Sequence, residues 1–205
     1  MGENSTVNHG VLGRARGFVA GRPRTQKVGA GVSAALLASA PFGGLSGPPE
    51  PAPEAVKIGS PIMVGPYRVV IDKVVELPDL APAVKPKAPE RVVVLDSHVT
   101  LTGDRPEYAL TLTQNLRISG GSVTAETPDL YLVEDATRLS RINPDVTYRL
   151  AIAFTTSGPW RSDTVTVKSN LVEFVHEDAL TLDPDAWKSR DRIQSQGTLP
   201  LVKKS

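Results

Sequence analysis

The chain has 205 residues, a formal net charge of +1 and no cysteine, which leaves room for one domain with appendages and excludes a disulfide framework and thiolate chemistry. With 18 prolines, 17 glycines and 40% apolar residues, the composition favours turns and extended segments around a β-rich core held by packing alone. The charge is uneven: up to Leu45 there are five basic residues (Arg14, Arg16, Arg22, Arg24 and Lys27) against Glu3, and the remainder carries a small excess of acid.

Residues 1–27 lack apolar periodicity and read as a disordered basic cytoplasmic tail. Val28 to Leu45, VGAGVSAALLASAPFGGL, holds no charge. As one helix it would span about 27 Å, slightly less than the roughly 30 Å hydrocarbon core of a bilayer. Three readings compete for it. As a transmembrane signal anchor it leaves the arginines in the cytoplasm and everything after Leu45 outside. As a cleaved signal peptide it offers Ala38-Ser39-Ala40 at the cleavage positions, with Pro41 placed to hinder cleavage. As a weakly apolar stretch of a soluble protein it needs no membrane. The anchor is preferred because residues 46–55, SGPPEPAPEA, form a proline-rich linker that favours polyproline II, and a stalk is useful when something is tethered. A membrane is therefore the expected partner of the N-terminal part. Gly21-Arg22-Pro23-Arg24 resembles an AT-hook core, but a single copy beside an uncharged segment reads more simply as a topology determinant, and no nucleic-acid partner is expected.

The globular part starts near Val56. Pro66 to Leu77 places Tyr67, Val69, Ile71, Val75 and Leu77 on one face of a strand, with Lys73 as an exception that suggests a bulge. Pro78 to Glu90, PDLAPAVKPKAPE, is a thirteen-residue connection with four prolines. Loops of that length are uncommon in compact domains. It is the candidate interaction loop, through Asp79, Leu80, Val84, Lys85 and Lys87, with Trp160 as a candidate aromatic anchor on the turn Ser157 to Trp160. The plainer readings are a mobile insertion for the loop and a ring folded back over the sandwich end for Trp160.

Arg91 to Thr102 alternates with Val93, Leu95, Val99 and Leu101 inward and Asp96, His98 and Thr100 outward. Gly103 to Pro106 is a turn, Tyr108 to Ile118 reads as another strand, and a short strand follows at Leu130 to Val133. In INPDVTYRLAIAF, from Ile142 to Phe154, one face is Tyr148, Leu150, Ile152, Phe154, and Ile142, Pro144 and Tyr148 have the spacing of a tyrosine corner, in which the phenol bonds a backbone group upstream. Pro144 and Tyr148 are thus structural corner residues. Thr164 to Val175 closes the series with a break at Ser169-Asn170. Asp183-Pro184 looks like a helix cap followed by proline at the first helical position, which predicts a short helix to about Gln194 and then a tail. Six or seven strands with regular turns make the expected fold class all-β, an immunoglobulin-like antiparallel β-sandwich over 56–178, with helix and tail over 179–205.

Catalytic chemistry is not signalled. His9, His98 and His176 lie on separate elements without a second ligand at metal spacing, and no GxSxG elbow occurs. No catalytic residue, metal or cofactor is expected. Glu177, Asp178, Asp183 and Asp185 are a weak calcium candidate, unlike an EF-hand in spacing, and solvated acids are the default.

The segments GPYRVVIDKVV, VVVLDSHVTLTGDRPEY and INPDVTYRLAIAF, behind an apolar segment and a proline-rich spacer, resemble exported immunoglobulin-like (telokin-like) domains of bacterial cell envelopes, with a Gly/Arg-rich tail of actinobacterial style. The resemblance covers Val56 to about Asp178. It implies a single-pass membrane protein whose extracytoplasmic domain is a protein-interaction or structural module of the cell envelope and not an enzyme. It transfers no catalytic residue and, without cysteine, no lipid attachment. The alternative is an extracytoplasmic solute- or ion-binding module, which would show a pocket lined by Trp or Tyr with convergent polar groups.

Overall fold

The computed structural model describes residues 51–176 and 185–204. The expected tail, the anchor and the first half of the linker, 46–50, lie outside the described residues, as do Glu177, Asp178 and Asp183. The described elements in chain order are β1 (Glu54–Ala55), β2 (Pro61–Val64), β3 (Tyr67–Leu77), β4 (Arg91–Leu101), β5 (Glu107–Tyr108), α1 (Leu110–Asn115), β6 (Leu116–Ser119), β7 (Asp129–Leu132), β8 (Arg141–Ile142), β9 (Thr147–Thr156), β10 (Thr164–Val175) and β11 (Ala186–Lys203).

They build a β-sandwich. One layer runs β7-β9-β4-β3 and the other β6-β10-β11. The long strand β11 joins them: its first part pairs antiparallel with β10, and Leu201–Lys203 pairs parallel with Val74–Glu76 of β3. β2 covers the other half of that edge of β3, β1 adds to β11, and β5 and β8 form a separate two-stranded ribbon. The core lies between the layers, with Val93, Leu95, Ile152, Phe154 and Leu130 from one side meeting Val165, Val167, Leu116 and Leu199 from the other. β4 and β9 turn the expected residues, Val93, Leu95, Val99, Leu101, Leu150, Ile152 and Phe154, into this core, but burial is unbroken over Val92–Ser97 and Leu150–Phe154 because the outer face is covered there as well.

β3 carries the bulge that Lys73 suggests. Ile71 pairs with Ser97 and Lys73 with Asp96, so Asp72 is the extra residue. The consequence corrects the expected face. Beyond the bulge it is Val74 and Glu76 that turn to the core, whereas Val75 and Leu77 turn outward beside Leu80, Val94 and Ala151.

Two further expectations are corrected. The C-terminal helix and tail over 179–205 are instead, from Ala186 to Lys203, a single 18-residue strand. The free edge of β10 decides this: Phe174↔Trp187 through Thr164↔Pro200 form a ladder, a long-range pairing that local helix propensity does not outweigh. The strand expected over Tyr108 to Ile118 is broken by α1. Only Leu112 of its two leucines is buried, and Asn115 Nδ2 and Arg117 Nη1 donate to the carbonyls of Thr111 and Thr113, partners that a helix end requires. The sandwich also begins earlier than Val56, since Glu54 and Ala55 pair with Ser195 and Gln196.

Candidate functional site

A cavity opens at one end of the sandwich, assembled from three stretches distant in sequence. The first is the β2–β3 turn. Val64 pairs with Tyr67, leaving Gly65-Pro66 as a two-residue turn with Gly65 at φ 58°, a value that favours glycine. A Cβ on Gly65 would lie 3.1 Å from Val172 Cγ1 and 3.6 Å from Trp187 Cε3, so the bare backbone also lets the β10–β11 hairpin approach. The second stretch follows β4. The Pro66 carbonyl accepts from Thr102 N at 2.9 Å and from Thr102 Oγ1 at 2.8 Å, which pins the chain where Gly103 to Glu107 leave the sheet. The third is the outer part of the hairpin, where Phe174 pairs with Trp187.

Together these enclose about 500 Å³. The aromatic side is built by Phe174 and Trp187, edge to face with centroids 5.2 Å apart, and His176 lies edge-on to Phe174 at 5.0 Å. The polar side carries Asp104, Arg105, Glu107 and Asp185. Asp185 Oδ1 lies 3.8 Å from His176 Nδ1. Beneath them Tyr67 is fully buried and donates its phenol proton to the Tyr108 carbonyl at 2.8 Å. Burial first and the Glu107 charge second raise the Tyr67 pKa far above the usual phenol value, so this group stays neutral and structural.

The candidate interaction loop behaves differently from its sequence reading. Leu80 and Val84 exchange backbone hydrogen bonds of 2.9 Å each, and Asp79 Oδ1 accepts from Ala81 N at 3.2 Å. Leu80, Ala83 and Val84 then pack on Val92, Val94, Tyr131, Ala151 and Ala153 of the outer sheet face. Asp79, Lys85 and Lys87 remain exposed. The loop therefore covers an apolar sheet face with Leu80 and Val84, while those charged side chains and several of its prolines and alanines stay exposed.

Trp160 is not an available anchor: it is 2% exposed. Its backbone N–H donates to Glu76 Oε1 at 2.7 Å and its indole N–H to the Thr164 carbonyl at 2.9 Å. The ring lies on Gly121, where a Cβ would come within 2.1 Å of it. The plainer reading, a ring folded over the sandwich end, is the observed one. Tyr148 bonds upstream as a corner residue does, its hydroxyl accepting from Asn143 N at 3.4 Å and Nδ2 at 3.2 Å, and Pro144 bridges Leu101. However, β8 belongs to the ribbon with β5 and β9 to the layer with β7 and β4, so the link ties that ribbon to β9 and does not join the two layers.

On the outer face, Asp96 accepts from Arg149 Nε and Nη2 at 3.2 and 2.9 Å and lies 3.3 Å from Lys73 Nζ, while His98 Nδ1 and Asp72 Oδ2 are 2.7 Å apart. Burial pushes the Asp96 carboxyl up, but the hydrogen bonds and charges of Arg149 and Lys73 outweigh it and hold the pKa below the ordinary value. Among the described residues no group of three or more His, Cys, Asp or Glu is placed to hold a metal ion, and no helix is long and apolar enough to cross a membrane.

Sequence reasoning missed the cavity. Gly103 to Pro106 reads as a turn, and Trp187 falls within the expected C-terminal helix. The signal was non-local: Phe174 and Trp187 meet only when β11 is recognised as the partner of β10.

No family model matches the chain, and no curated protein matches it. A crystal structure of an uncharacterized β-sandwich protein from Clostridium difficile 630 is similar with a TM-score of 0.47 and 13% identity, covering 74% of this chain and 96% of that one.

Proposed function

We propose that this chain is a membrane-anchored extracytoplasmic protein whose immunoglobulin-like domain works by binding and not by catalysis, at the end of the sandwich where the β4–β5 connection and the β10–β11 hairpin converge. Strand order supports the immunoglobulin-like reading. With β3, β4, β6, β7, β9, β10 and β11 lettered A to G, the layers read A-B-E-D and C-F-G. In that lettering the cavity lies between the B–C connection and the facing ends of F and G, the end that variable immunoglobulin domains use for recognition. The uncharged segment 28–45, the basic residues before it and the proline-rich linker support the anchored, outward topology.

The observation that carries the binding reading is the cavity itself, aromatic on one side and charged on the other. It favours this end over the loop from Pro78 to Glu90, whose largest apolar side chains, Leu80 and Val84, pack on the sheet face. The test is proximity labelling in a native-like host with the full chain, comparing wild type, Phe174→Ala with Trp187→Ala, and a loop variant with Lys85→Ala and Lys87→Ala. Loss of partners in the aromatic variant alone supports the reading; loss in the lysine variant alone returns the site to the loop. Fractionation tests the topology, since full-length product in the soluble cytoplasmic fraction would end it.

A further inference from the structure

We infer that the cavity takes an organic cation, an alkylammonium or guanidinium group seated against Phe174 and Trp187 with Asp104, Glu107 and Asp185 around it. The inference rests on the binding reading above and adds the chemical class of the ligand.

Two observations point to a cation. The first is the lining: among the described residues Asp104 and Glu107 stand with one guanidinium, that of Arg105, and Asp185 lies 3.8 Å from His176, so acidic side chains sit beside the aromatic rings. A cation over an aromatic face is attracted by the ring quadrupole, and more so where the site is partly shielded from water. Phe174 is 40% exposed, whereas Val165, Val167 and Val172 of the same strand are buried.

The second is the state of the acids. Several carboxylates elsewhere in the domain are met by cations, Asp96 by Arg149 and Lys73, Asp129 by Arg138, Asp163 by Lys203 and Glu173 by Arg190, while exposed acids away from the cavity, such as Glu54, Glu126 and Asp145, are not. Asp104 and Glu107 take part in none of these pairs, although Arg105 stands between them in sequence. Glu107 instead directs its charge toward the buried phenol of Tyr67, which it helps to keep protonated. Unpaired carboxylates at the mouth of an aromatic cavity repel an anionic ligand and attract a cationic one. A neutral saccharide is the competing occupant, because it also stacks on aromatic rings and bonds to carboxylates; the absence of any need for charge separates it by experiment.

The chain has two tryptophans, and Trp160 donates its indole N–H to Thr164 inside the core, so the other indole N–H reports on the cavity without mutation. The full chain is titrated with tetramethylammonium chloride, with end-blocked Gly-Lys-Gly and Gly-Arg-Gly peptides, and with glucose, and the two indole N–H resonances are followed by NMR. The expected result is a saturable shift of Trp187 alone with a cationic probe, weakened about tenfold by Asp104→Asn combined with Glu107→Gln and weakened further by added salt. A response to tetramethylammonium but not to the peptides assigns a free quaternary ammonium ligand; the reverse assigns a basic side chain of a partner. A shift with glucose that the neutralising variants leave unchanged overturns the cation while keeping the binding site. No shift of Trp187 with any cationic probe also overturns it, and the binding reading then falls too if Trp187→Ala leaves the labelling profile intact.

Discussion

The backbone N–H of Trp160 donates to Oε1 of Glu76 at 2.7 Å, although Glu76 lies at 3% exposure on the core side of a strand. The bulge at Asp72 puts it there, and Arg91 Nε at 3.8 Å supplies the nearest cation. One buried carboxylate therefore ties β3 to the turn after β9 and seats the Trp160 ring over Gly121.

Removing that carboxylate leaves a backbone donor unpaired in a buried position. Glu76→Ala is expected to lower stability by about 2–3 kcal/mol, the range for a lost buried hydrogen bond to a charged group. Glu76→Gln keeps an acceptor oxygen and loses about 1 kcal/mol. Urea unfolding of the two variants measures both. Equal losses would show that the charge facing Arg91, and not the bond to Trp160, is what matters.

Asp96 makes acid stability testable. Its folded pKa lies below the unfolded value because Arg149 and Lys73 outweigh burial. A depressed carboxylate contributes stability that is complete above the unfolded value, about 3.9, and is lost as the pH falls through the folded one. Asp96→Asn should therefore be less stable than wild type at pH 7, by about 1 kcal/mol because the cationic partners are half exposed. The gap should narrow steadily below pH ~4. Parallel denaturation curves at neutral and acid pH check this. A gap constant down to the lowest pH at which the protein folds would refute the role given to Asp96.

Tyr148 is a smaller effect. Its hydroxyl accepts two N–H groups of Asn143 at long distances near the surface, so Tyr148→Phe should cost about 0.5–1 kcal/mol. A thermal melt of Tyr148→Phe beside wild type checks this, and an unchanged midpoint would show that the bond to Asn143 contributes no stability.

These residues also show what was legible. β4 and β9 were readable because period-two alternation survives wherever a strand has one face in the core, and Tyr148 because a corner is set by residues six apart in sequence, from Ile142 to Tyr148. The bulge in β3 was signalled by Lys73, but not its result, since which residues turn inward after a bulge depends on the partner register. β11 was unreadable for another reason. Its first half, WKSRDRIQSQ, is polar on both faces and pairs mainly through backbone, so the local cap signal at Asp183-Pro184 stood without competition. The cavity inherits that failure, because half of its aromatic side is on β11.

The loop from Pro78 to Glu90 gives the sharpest separation between a cover and a contact surface. As a cover, its value lies in Leu80 and Val84, which shield Val92, Val94, Tyr131, Ala151 and Ala153. Both are partly buried, so Leu80→Ser with Val84→Ser should cost about 2 kcal/mol, less than full burial of two such side chains would give. The uncovered sheet face would then form a contiguous apolar patch of the kind that drives association. The exposed charges carry no such load, and Lys85→Ala with Lys87→Ala should stay within about 0.5 kcal/mol of wild type. Urea midpoints give the first comparison and light scattering after gel filtration the second. A double-serine variant that is fully stable and monomeric would mean that the sheet face needs no cover, and the loop's apolar residues would again be open to a partner.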